Sequence, residues 1–110
     1  MHRIHASVGI LNQTPFAWTQ NEANIRRAIR DARARGATLL CLPELSITGY
    51  GCEDMFQSAG ILETAWDMLE RITAEETEGL VVCLGLPVDL RGAVYNCAAL
   101  AVDGKIAGVV

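Results

Sequence analysis

Glu44 is the residue best placed to do chemistry. It follows residues 38–42, a short apolar run bounded by Gly36 and Pro43, which is the pattern of a strand buried on both faces. Sites form at strand ends in helix-covered sheets, because loops there carry polar groups that a packed interior rejects. A carboxylate in that position can serve as a general base. The stretch around it, Leu42-Pro43-Glu44-Leu45-Ser46-Ile47-Thr48-Gly49-Tyr50-Gly51-Cys52-Glu53-Asp54, is punctuated by glycine and brings Tyr50 and Cys52 close behind Glu44. Acidic groups are favoured at helix N-termini, so Glu53 and Asp54 are expected to cap a short helical turn.

Other reactive side chains are less telling. The cysteines at 41, 52, 83 and 97 form no C-x-x-C pair and have no histidine near them, so no metal site is expected. Cys41, Cys83 and Cys97 fall inside apolar runs, where a reduced cysteine behaves as a small hydrophobe; this usage fits a reducing, cytoplasmic compartment. His5 reads as a strand-flanking structural residue, and His2 is terminal and uninformative.

The elements that must position Glu44 are legible from periodicity. Ile4, Ala6, Val8 and Ile10 alternate with His5, Ser7, Gly9 and Leu11, predicting a first strand. Thr19 with Glu22 predicts a capping box opening a helix. Ile25, Ala28, Ile29 and Ala32 give that helix an apolar stripe, and Gly36 supplies its left-handed terminus. Arg26, Arg27, Arg30, Arg33 and Arg35 read as its solvated face.

Ile61, Ala65, Met68, Leu69 and Ile72 mark a second helix carrying Trp66 as a packing residue. The acidic run Glu75, Glu76 and Glu78 reads as its solvated end. Residues 80–86 form another apolar strand, closed by Pro87. Residues 94–102 and 105–110 are strand-like runs joined by Asp103-Gly104, a type I′ hairpin signal. The order βαβαβββ predicts an α/β fold, a mixed sheet with helices on one face and an apolar opposite face in need of a partner layer.

With 110 residues, 51% of them hydrophobic, the chain suits one domain with a core. A formal net charge of -4 provides no basic field for nucleic acid or an anionic membrane surface. There is no signal-peptide pattern and no run long enough to span a bilayer. Gly108-Val109-Val110 stops inside an apolar strand, from which a fragment of a longer protein is expected.

Pro43-Glu44-Leu45, Thr48-Gly49-Tyr50, Gly85-Leu86-Pro87, Val94-Tyr95-Asn96-Cys97 and Asp103-Gly104-Lys105 together resemble the nitrilase superfamily of carbon-nitrogen hydrolases over the whole chain. The Glu44 loop is most similar to the amino-terminal glutaminase domain of glutamine-dependent NAD synthetases. The resemblance implies that residues 1–110 are the N-terminal portion of a four-layer αββα sandwich, with the rest of that domain and a synthetase domain outside them.

It also implies a Glu-Lys-Cys triad. A cysteine thiolate attacks the amide of glutamine, a glutamate carries the proton to the leaving ammonia, and a lysine steadies the tetrahedral intermediate. Glu44 matches the glutamate. The lysine and cysteine are expected beyond Val110, which makes Lys105 a solvated turn residue, Cys52 a structural loop residue and the 110 residues alone inactive. Tyr50 falls where the family lines the glutamine site or the mouth of an ammonia path; a buried tyrosine bracing the loop is the alternative. ATP and Mg2+ are expected only in the absent synthetase domain, which would accept the ammonia, and a homo-oligomer is expected from the family's habit of associating through its sandwiches. Two other functions stay open: a stand-alone amidase or carbamoylase of the same superfamily, and a non-catalytic interaction module on the same fold.

Overall fold

A computed structural model describes residues 3–110, so His2 lies outside the described residues. The elements are β1 (Ala6–Val8), α1 (Trp18–Ala34), β2 (Leu39–Cys41), a 3-10 turn (Glu53–Gln57), α2 (Ala59–Glu76), β3 (Val81–Leu90), β4 (Ala93–Val102) and β5 (Lys105–Val109). They build one mixed sheet in the order β1-β2-β3-β4-β5. β1, β2 and β3 are parallel, with the two long helices as crossovers, while β3, β4 and β5 are antiparallel.

Both helices cover one face. Pleat alternation turns Leu40, Val82, Leu84, Ala99 and Ala101 toward them, and these residues are buried with Ile25 and Ile29 of α1 and Met68, Leu69 and Ile72 of α2. The opposite face is bare. A Cβ on Gly9 would meet Ala28 and Leu40, so Gly9 faces α1. Its out-of-phase neighbours Val8 and Ile10 therefore point away from the helices and are 78% and 94% exposed. The apolar half of the first alternation thus serves the uncovered side, and pairing shortens the strand to three residues because β2 offers only three partners.

α1 starts two residues earlier than the capping-box pattern predicts. Ala17 is the N-cap and no side chain caps the helix, leaving Thr19 inside the first turn. Tertiary hydrogen bonds take over: the Asn21 side chain accepts from Thr14 N (3.0 Å) and donates to Thr14 O (2.8 Å), and Phe16 N donates to Thr48 O (2.9 Å). At the other end Gly36, with φ 75°, closes a Schellman motif in which Ala37 N reaches Ala32 O and Gly36 N reaches Arg33 O.

The arginine face and the acidic run are not simply solvated. Arg26 pairs with Glu22 (2.7 Å), Glu75 (2.8 Å) and Glu76 (3.0 Å), Arg30 pairs with Glu76, and Arg71 of α2 reaches back to Glu22 (2.8 Å). Arg33 donates to the carbonyls of Glu76 and Glu78. Glu76 is buried. Burial pushes its carboxyl up, but hydrogen bonds from Arg30 and Arg26 outweigh that and hold it below the ordinary range. The network clamps α1 to α2.

β3 also differs from expectation, running through Pro87 to Leu90. Ala98 exchanges both backbone hydrogen bonds with Val110 on the β5 side, so its pairing with Gly85 is a non-hydrogen-bonded one. Pro87, opposite Asn96, is in the same phase. Its missing N–H would have faced the side where β2 has already ended, so no ladder bond is lost. Arg91 (φ 56°) and Gly92 (φ 83°) then form a two-residue turn between β3 and β4, with Gly92 N donating to Asp89 Oδ1 (2.9 Å). The Asp103-Gly104 hairpin forms as predicted, both residues having positive φ.

Candidate active site

After Cys41 the chain leaves β2 and continues across β3. Leu42 N donates to Cys83 O (3.0 Å), and Ile47 N donates to Gly85 O (3.1 Å). Ser46 Oγ accepts from Gly85 N at 3.2 Å. The contact is close enough to demand glycine: a Cβ at position 85 would collide with Leu45 N and lie 2.8 Å from Pro43 O. Residues 45–49 are buried, and their polar groups are satisfied from the α1 side. Gln13 Nε2 donates to Ser46 O (2.6 Å) and Asn21 Nδ2 to Ile47 O (3.3 Å). Gly49, with φ 86°, sits where a Cβ would lie 2.7 Å from the backbone of Thr14.

This buried bridge fixes what emerges at its two ends, Glu44 and Tyr50. Both are exposed, and the Tyr50 hydroxyl donates to Glu44 Oε2 at 2.9 Å. That hydrogen bond, followed by the field of the carboxylate, pushes the Tyr50 phenol above its ordinary value. At 64% exposed, Tyr50 is not a buried brace. Asn96 of β4 donates through Nδ2 to Glu44 Oε1. Each carboxylate oxygen therefore accepts one neutral donor. Glu44, Tyr50, Phe56, Pro87, Tyr95 and Asn96 line a recess of about 420 Å³.

Cys52 is buried, and its thiol donates to Gly49 O (3.3 Å) and Thr48 O (3.7 Å). Burial pushes the thiol up, the reverse of what a nucleophile needs. Glu53 and Asp54 stand in the first turn of the 3-10 segment, but neither makes a side-chain cap hydrogen bond. Lys105 is exposed at the start of β5 opposite Val102. Val102 is six residues along β4 from Asn96, about 20 Å at ~3.3 Å per residue, so the lysine does not reach the recess. His5 is exposed and contributes its backbone carbonyl to Thr38 N (2.8 Å).

Cys41, Cys83 and Cys97 are not core residues as their apolar surroundings suggest. They lie exposed or half-buried, and with Glu44 and Asn96 they line a second recess of about 330 Å³. Burial and the neighbouring Cys41 push the Cys83 thiol up. Among the described residues no group of three or more His, Cys, Asp or Glu is disposed to hold a metal ion. Nor is any helix long and apolar enough to cross a membrane.

The site residue that sequence reasoning misses is Asn96. Its signal is a lone side-chain amide in the apolar run of β4, and only the β3–β4 register carries it to Glu44. The supporting amides Gln13 and Asn21 likewise show their function only through partners distant in sequence.

The carbon-nitrogen hydrolase family model matches residues 5–109. The glutamine-dependent NAD(+) synthetase of Saccharomyces cerevisiae is 39% identical over 106 residues, covering 96% of this chain and 15% of its own length. A crystal structure of a glutamine-dependent NAD(+) synthetase from Cytophaga hutchinsonii superposes with a TM-score of 0.92 at 42% identity, over 96% of this chain and 18% of that one. An amidase from a Nesterenkonia species shares the fold, with a TM-score of 0.81 at 22% identity over 96% of this chain and 41% of that one. The chain thus spans about 15% of the length of the yeast relative it matches.

Proposed function

The chain belongs to the carbon-nitrogen hydrolase family, and from that membership we propose that it is the opening part of the glutaminase domain of a glutamine-dependent NAD synthetase, with Glu44 as the general base. The observation that carries this is the Glu44 carboxylate at the mouth of a recess, held by one neutral donor on each oxygen. It remains an acceptor, with a lone pair on each oxygen free to take a proton.

In the proposed reaction, Glu44 accepts the proton of a cysteine thiol as sulfur attacks the side-chain amide carbon of glutamine. It then delivers that proton to the departing nitrogen, and ammonia leaves. The cysteine, and the lysine that stabilises the developing oxyanion, belong to the proposed remainder of the domain. Tyr50 lines the glutamine side of the recess and keeps the carboxylate turned toward it.

The ammonia would pass to a synthetase domain that amidates nicotinic acid adenine dinucleotide with ATP and Mg2+, in the cytoplasm and in a self-associated protein. That step is assigned to the proposed synthetase domain. A stand-alone amidase is the weaker reading, supported only by a likeness of fold at 22% identity.

The test uses the full-length protein carrying this chain, assayed for NAD synthesis with glutamine and then with free ammonia. Glu44→Ala should abolish glutamine-driven synthesis and retain ammonia-driven synthesis. Undiminished glutamine use would overturn the assignment of the base, and no NAD from either nitrogen source in wild type would overturn the synthetase.

A further inference from the structure

We propose that Asn96 is a positioning residue for the Glu44 carboxylate, tying the proposed base to the sheet. The inference rests on Glu44 being that base. Tyr50 is six residues from Glu44 on the same loop, whereas Asn96 stands on the ten-residue strand β4, in register with Pro87 of β3. Among the described residues, only the Asn96 hydrogen bond joins the carboxylate oxygens to a strand of the sheet. Ionised glutamate offers acceptors alone, so the amide must turn its Nδ2 toward Oε1, as it does. The chemistry of the donor matters too. A lysine or arginine in its place would hold the carboxylate as tightly but would pair its charge and weaken it as a base; an amide fixes the rotamer without a formal charge. An exposed glutamate otherwise samples several rotamers, and proton transfer requires one.

The experiment compares Asn96→Asp, Asn96→Ala and Glu44→Ala in the full-length protein, measuring glutamine kcat and KM and, separately, the ammonia-driven rate. Asp is nearly isosteric with Asn but presents an acceptor to an acceptor. If Asn96 positions the base, Asn96→Asp loses at least as much glutamine kcat as Asn96→Ala, about ten- to a hundredfold. KM for glutamine and the ammonia-driven rate then stay near wild type. A space-filling role predicts instead that Asp preserves kcat while Ala loses it, and that result would overturn the inference. So would a loss confined to KM, or an equal fall in the ammonia-driven rate. If Glu44→Ala removes glutamine use while both Asn96 variants keep it, the inference on Asn96 alone fails; if Glu44→Ala itself retains glutamine use, the base assignment fails with it.

Discussion

At the scale of single residues, the site turns on which neutral groups face a carboxylate. Tyr50→Phe keeps the ring and removes the hydroxyl that reaches Glu44. Glutamine-driven turnover in the full-length protein should fall about tenfold, an effect the size of one charged hydrogen bond, with the thermal midpoint unchanged. The same contact is readable by titration. The hydrogen bond to Glu44, followed by the charge of that carboxylate, holds the Tyr50 phenol high. Glu44→Gln removes that charge, so the Tyr50 absorbance transition should move down toward its ordinary value of 10.0; an unmoved transition would show that the pair does not form in solution. Cys52 obeys a different logic, since burial disfavours its thiolate. Iodoacetamide at neutral pH should alkylate exposed Cys41 well before Cys52.

At the scale of elements, two junctions bear the arrangement. The first is the crossing of the Glu44 loop over β3 at Gly85. Gly85→Ala places a methyl group against the backbone of residues 43–45, so the loop must lift. Destabilisation of about 1–3 kcal/mol, the usual range for overpacking, should accompany loss of glutamine use, measured by denaturant unfolding and the two-nitrogen assay. The second is the α1–α2 clamp. Glu76 has a folded-state pKa below its ordinary value of 4.5, so its contribution is fully present above that value and is lost as pH falls through the lower, folded-state value. Glu76→Gln should therefore flatten the acid side of the stability profile, and Glu76→Ala should cost about 1–3 kcal/mol at pH 7 by removing the buried carboxylate to which Arg26 and Arg30 donate. A clamp was not visible in the sequence, because an arginine face and an acidic run separated by about forty residues are indistinguishable from two solvated surfaces until the helices pack.

At the scale of the whole molecule, the helix-covered face is complete and the other is not. Ile4, Val8, Ile10 and Val110 are each more than 70% exposed, and the αββα architecture proposed for the domain would cover them with a second sheet. Leaving about 200–400 Å² of apolar surface in water forgoes about 5–10 kcal/mol at ~25 cal/mol per Å², comparable to a domain's entire stability. The isolated 110 residues should accordingly bind a hydrophobic dye and self-associate. The double substitution Val8→Thr with Ile10→Thr should reduce both, as followed by dye fluorescence and sedimentation. They should also fail to hydrolyse glutamine, since the proposed lysine and nucleophile lie outside them; hydrolysis by the isolated chain that is lost in Glu44→Ala would refute that division of the triad.

The sequence by itself determined the order of elements, the helix stripes, the Gly36 and Asp103-Gly104 turns, the bare apolar face and the place of Glu44 at a strand exit. Each follows from local periodicity or from backbone angles that few residues accept. Only the tertiary structure decided how α1 is capped, that β3 runs through Pro87, that Glu76 is buried among arginines, and that Asn96 meets Glu44. The last two depend on pairs 46 and 52 residues apart, Arg30 with Glu76 and Glu44 with Asn96. A side chain's hydrogen-bonding partner at that separation is set by strand register and helix packing, and neither leaves a local pattern in the chain.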